Sequence, residues 1–92
     1  MDLFSNWYKA TVYLAHLGAG TAIDGIIYLY AKDLGEAQHI LLTRARGWKR
    51  SRPYSIDEVP KEEYDRILDL IEEAGLHSFN VKNQGYFYTW RP

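Results

Sequence analysis

The amino-acid sequence predicts one α+β domain spanning residues 1–92, in the order β-β-α-β-α-β-β, with a mostly antiparallel sheet carrying two helices packed on one face. Three observations carry that expectation. The chain opens with two runs rich in aromatic and β-branched residues, separated by a glycine-rich interval. Its middle holds two segments whose apolar residues recur at 3.6-residue spacing. It closes on two further strand-like runs joined by Asn83-Gln84-Gly85. No internal repeat, low-complexity stretch or linker divides it.

The first run, Trp7 to His16, has no helical cap in front of it and reads as a strand. Its side chains alternate, and the set Tyr8, Ala10, Val12, Leu14 and His16 is the expected core face, with Trp7, Lys9, Thr11, Tyr13 and Ala15 opposite. Glycines at 18, 20 and 25 suit a hairpin loop leading into the second strand, Ile26 to Ala31. Asp33 then has Glu36 three residues on, the spacing at which two side chains satisfy the free amides of a helix start. Behind it Leu34, Ala37, Ile40, Leu41 and Ala45 form an apolar stripe, so a helix is expected from Leu34 to about Arg46, closed by Gly47.

Tyr54 to Val59 alternates as a short strand, and Pro60 fits a first helical position because its missing amide hydrogen would have no partner there. The second helix shows the clearest pattern. Tyr64, Ile67, Leu68, Ile71 and Ala74 share one face, Glu62 and Glu63 occupy the first turn, and Gly75 ends it. Leu76 to Lys82 and Tyr86 to Trp90 are then expected as a closing hairpin.

Composition narrows the function classes. The 92 residues include no Cys, which excludes disulfides, a thiol nucleophile and a Cys-ligated metal or iron–sulfur centre. A net charge of -1 gives no global attraction to nucleic acid or anionic membrane. Nothing approaches about 18 consecutive apolar residues, and the N-terminus lacks the basic and apolar regions of a secretion signal, so a soluble cytoplasmic protein with no membrane partner is expected. Eight Tyr, three Trp and three Phe are an unusual aromatic load for a chain this small. Such rings serve equally as core or as interface.

Charge is unevenly placed. Arg44, Arg46, Lys49, Arg50 and Arg52 surround Trp48 with no acid among them, a pattern able to grip phosphates while the indole stacks on an unpaired base. The same residues also suit a structural role, with Arg44 and Arg46 complementing the carbonyl end of the first helix and Trp48 anchoring a loop. From Asp57 to Glu73 the balance reverses, eight acids standing against Lys61 and Arg66. Most of these acids fall off the apolar stripe and read as a solvated helix face.

Catalytic patterns are weak. His16, His39 and His77 are far apart and in no H-x-x-x-H spacing, so no metal is expected, and His16 beside the glycine loop is the one best placed for a chemical role. Gly18-Ala19-Gly20 follows a strand but precedes another strand, whereas phosphate-cradling loops open a helix. Ser5, Thr11, Thr21, Thr43, Ser51 and Ser55 lack a nucleophile elbow, and Glu62–Glu63 and Glu72–Glu73 point in different directions as helical neighbours. No cofactor is expected.

In the last strand Tyr86, Tyr88 and Trp90 share one side and Phe87 takes the other, which gives either a doubly covered strand or an exposed aromatic row suited to a protein partner or a homodimer. The reading best matched by a small, dipolar, aromatic-rich chain is a non-enzymatic protein-binding module, an adaptor or inhibitor acting by surface complementarity. Its size suits an accessory protein of a phage or mobile element. The alternatives are a nucleic-acid-binding module using Arg44, Arg46, Trp48, Lys49, Arg50 and Arg52, and a small-molecule or nucleotide site near the glycine loop at residues 18–25.

Overall fold

A computed structural model describes residues 5–14, 23–45 and 55–89. Two long strands form the centre: β1 (Asn6–Leu14) and β2 (Ile23–Ala31) pair antiparallel, from Asn6 opposite Ala31 to Leu14 opposite Ile23. The short strand β3 (Ser55–Glu58) pairs antiparallel with β1, and β4 (Tyr86–Thr89) pairs antiparallel with β2, giving the order β3-β1-β2-β4. The helices are α1 (Leu34–Thr43), α2 (Tyr64–Glu73) and α3 (Ser78–Gln84), and one 3-10 turn (Lys61–Glu63) leads into α2.

The observed order is therefore β-β-α-β-α-α-β, and the segment expected as a strand from Leu76 to Lys82 is mostly α3. The local chemistry explains the difference. Gly75, at φ +75°, turns the chain out of α2, and Gly85, at φ +97°, terminates α3 with its amide donating to the Val81 carbonyl at 2.7 Å. Val81 is the only β-branched residue from Leu76 to Lys82, and it is the residue α3 buries. Without a hairpin partner just upstream, β4 completes the sheet beside β2.

The helices cover opposite faces of the sheet, not one face as the sequence suggests. Strand alternation places Tyr8, Ala10, Ile27, Leu29 and Ala31 on one side, where Ala37, Ile40, Leu41 and Ala45 of the α1 segment pack on them. Trp7, Tyr28 and Phe87 point to the other side, against Ile67, Leu70 and Ile71 of α2, Val81 of α3 and Val59. Trp7, assigned above to the outward set, is only 2% exposed. The cause is legible afterwards in the strands, since Trp7-Tyr8 and Tyr28-Leu29-Tyr30 offer large apolar groups to both sides, the pattern of strands covered twice.

The two faces differ in texture. On the α1 face alanines at 10, 31, 37 and 45 are fully buried and let helix and sheet approach closely. The α2 face is aromatic: Trp7 lies 4.9 Å from Tyr30 between ring centroids, Tyr28 stacks on Phe87 at 5.3 Å, and Trp7 meets Phe87 edge-on at 6.1 Å. This cluster takes up Trp7, Tyr28, Tyr30 and Phe87, four of the fourteen aromatic residues of the chain.

Local signals hold at the start of α1, where Asp33 accepts from the Glu36 amide at 2.8 Å and the Glu36 carboxylate accepts from the Lys32 amide at 2.9 Å. The helix ends at Thr43 with Arg44 as its cap, earlier than the expected Arg46, and Gly47 lies outside the described residues. Pro60 opens the 3-10 turn and accepts the Glu63 amide at 2.9 Å. In α2 the buried set is Ile67, Leu70 and Ile71, while Leu68 and Ala74 of the expected stripe face outward. Tyr64, half-buried, reaches across so that its hydroxyl accepts from the Trp7 amide at 3.2 Å and donates to Asn6 Oδ1 at 3.4 Å, tying α2 to β1. No described helix is long and apolar enough to cross a membrane.

Candidate functional site

Of the basic segment, Arg46, Trp48, Lys49, Arg50 and Arg52 lie outside the described residues. Arg44 is described and exposed. Its guanidinium donates to the Gln84 carbonyl at 3.3 Å, a contact between the end of α1 and the end of α3. His16 and residues 15–22 of the glycine loop also lie outside the described residues. His39 is exposed on α1, where its backbone carbonyl accepts from the Thr43 hydroxyl at 2.6 Å, and His77 is exposed at the start of α3. Among the described residues no three His, Asp or Glu gather into a group that could hold a metal ion.

Two features remain on the surface. The first is the β4 edge. The Tyr30 amide donates to the Gly85 carbonyl at 2.8 Å, and the register pairs Tyr28 with Phe87 and Ile26 with Thr89. The alternation of an antiparallel ladder then turns the backbone groups of Tyr86 and Tyr88 away from β2, toward the outer edge. Gln84 Nε2 donates to the Tyr86 carbonyl at 2.9 Å, and no described strand lies against Tyr88. The Tyr86 and Tyr88 rings meet edge-on at 5.6 Å. Tyr86 is half-buried and packs toward the α1 face, Tyr88 is 36% exposed, and Trp90 lies outside the described residues. Partial burial, with Tyr86 beside it, pushes the Tyr88 phenol above its ordinary range. The opposite edge is unlike this one: β3 presents Asp57 and Glu58, both exposed.

The second feature is a cleft of about 700 Å³ between α1 and α3. Ile40 and Gly85 line its buried part, and Tyr30, Phe79, Arg44 and Lys82 stand around it. Phe79 is 77% exposed, and Lys82 Nζ sits 5.3 Å from the centroid of the Tyr30 ring. Reading residues 76–82 as a strand hid this cleft, because only a helix sets Phe79 and Lys82 three residues apart on one face. The signal that could have found it is Gly85 after a polar Lys-Asn-Gln run, a helix stop followed by a strand.

The chain matches no family model, no curated protein and no solved structure among those with which it was compared.

Proposed function

We propose that this chain is a non-enzymatic protein-binding module, and that β4 receives an extended segment of its partner as an added strand. The observation that carries this reading is the contrast between the two sheet edges. Natural sheets guard their edges with charge, as β3 does with Asp57 and Glu58, whereas Tyr86, Phe87, Tyr88 and Thr89 bring none. An uncharged edge with outward backbone groups at Tyr88 and an exposed tyrosine beside them offers both parts of strand addition: main-chain hydrogen bonds for affinity and a ring for selectivity. Tyrosine is also well suited to a contact surface that is apolar on its body and polar at its tip.

The test is Tyr88→Lys, which places a guarding charge on the edge at the cost of the ring contact with Tyr86. The variant should stay folded, as circular dichroism would show, and lose capture of whatever partner the parent retains. Hydrogen exchange of the captured complex should show new protection at the Tyr86 and Tyr88 amides. Retained capture by Tyr88→Lys, or protection confined to α1 and α2, would remove β4 as the binding edge. Sedimentation at two concentrations identifies the case in which the partner is a second copy, since the parent would then dimerise and Tyr88→Lys would not.

A further inference from the structure

We propose that the cleft between α1 and α3 is a binding site for a small aromatic monocarboxylate, independent of the β4 edge. Its volume, about 700 Å³, falls in the range of small-molecule sites, and its lining sets the Ile40 side chain and the Phe79 and Tyr30 rings among a larger number of polar and charged groups. Ile40, Tyr30 and Phe79 supply a surface for a ring, and Phe79 keeps most of its own ring exposed although buried aromatics stand on the adjoining sheet face. An exposed phenyl group beside a cleft gains by being covered.

The charge of the cleft selects the ligand. Arg44, the residue that caps α1, and Lys82 of α3 both line it. Arg44 spends one hydrogen bond on the Gln84 carbonyl and keeps the remaining donors of its planar fork, the geometry that meets a carboxylate with paired bonds. Lys82 over the Tyr30 ring adds positive charge without a directional demand. Glu36 also lines the cleft, with a carboxylate already engaged on the Lys32 amide, and its charge disfavours ligands with several negative charges. One anionic group on a ring matches Arg44, Lys82 and the single acid Glu36, with the His39 imidazole also in the lining, better than a polyphosphate does.

Gly85 makes the space. A methyl group there would come within 3.2 Å of Ile40 Cδ1 and 3.6 Å of an Arg44 guanidinium nitrogen, so the absent side chain leaves the cleft's buried end open beside the anion-binding group. One glycine thus stops α3 in its left-handed conformation and clears the site.

The test is a titration of isotopically labelled protein with phenylacetate, with its neutral isostere phenylacetamide and with inorganic phosphate, read from the amide resonances of Ile40, Lys82 and Gly85. Phenylacetate should shift these resonances and saturate below about 10 mM, within reach of a ligand of its size. Phenylacetamide and phosphate should bind at least about tenfold more weakly, the factor expected when a charge-assisted hydrogen bond or a buried ring is lost. Arg44→Gln should weaken phenylacetate by a similar factor. Phe79→Ala should do the same without unfolding, because that ring is mostly in solvent. Equal binding of phenylacetamide, indifference to both substitutions, or no shift at about 10 mM would each overturn the proposal. A tripeptide ending in phenylalanine that bound while phenylacetate did not would assign the cleft to a chain terminus instead and would equally overturn it.

Discussion

Gly75 and Gly85 both adopt left-handed backbone, at φ +75° and +97°, yet their surroundings differ. A side chain at Gly75 meets nothing within 4 Å, while one at Gly85 presses on Ile40, a residue of α1 buried in the core against the sheet. Gly75→Ala should therefore cost only the conformational penalty of an L-residue with positive φ, about 1–2 kcal/mol. Gly85→Ala should cost more, about 2–4 kcal/mol, because crowding in a packed region adds to that penalty. Urea denaturation of the two variants gives the comparison directly. Equal losses would show that Ile40 yields without cost and that Gly85 acts through backbone alone.

At the scale of elements, α2 separates what packs from what is merely apolar. Ile71 is buried against the aromatic face, and Leu68 points outward although it stands one position from Ile67 on the stripe read from sequence. Ile71→Ala should destabilise by about 2–5 kcal/mol, the range for emptying a core position. Leu68→Ala should change stability by under about 1 kcal/mol, as substitutions away from packed positions do. Thermal melts that rank the two in the opposite order would reverse the assignment of the helix face. The same element shows how much was legible beforehand. Caps and glycine stops are written locally, so Asp33, Glu36, Pro60 and Gly75 mark element boundaries well. Leu70 was missed because a stripe drawn through Leu68 and Ala74 rotates the buried face by part of a turn, and α3 was missed because seven residues are too few for periodicity to outweigh an aromatic and a valine. The cleft was invisible for a further reason: Arg44 and Lys82 line it together only because the end of α1 comes to the end of α3, where Arg44 reaches the Gln84 carbonyl, a tertiary fact that spacing along the chain does not contain.

For the whole molecule, the two covered faces share one response to alkali. Tyr8, on the α1 face, has its phenol raised by burial and by the Glu58 carboxylate opposite it in the sheet. Tyr28, on the other face, is raised by burial, with the Arg66 guanidinium opposing. Both therefore hold their protons to higher pH in the folded state than in the unfolded chain, whose tyrosines ionise near about 10. Below that pH both states are protonated and stability is complete. Above it the unfolded chain loses protons first, so stability should fall as pH rises from about 10 through the folded-state values. Parallel records of tyrosinate absorbance and far-ultraviolet circular dichroism should show late ionisation accompanied by loss of structure. Ionisation of all tyrosines near about 10 with structure intact would mean that neither face excludes water as described.

The double burial of β1 also limits how the chain can vary in length. Its neighbouring side chains go to sides of very different depth, Trp7 to the aromatic layer and Ala10 to the alanine-lined contact with α1. Adding or deleting one residue between them would exchange the sides, driving an indole into a space fitted for a methyl group and leaving a hollow beneath α2. Insertions are thus confined to the connections between elements, and a family descended from this chain would keep the spacing of its central strands while its loops drifted in size.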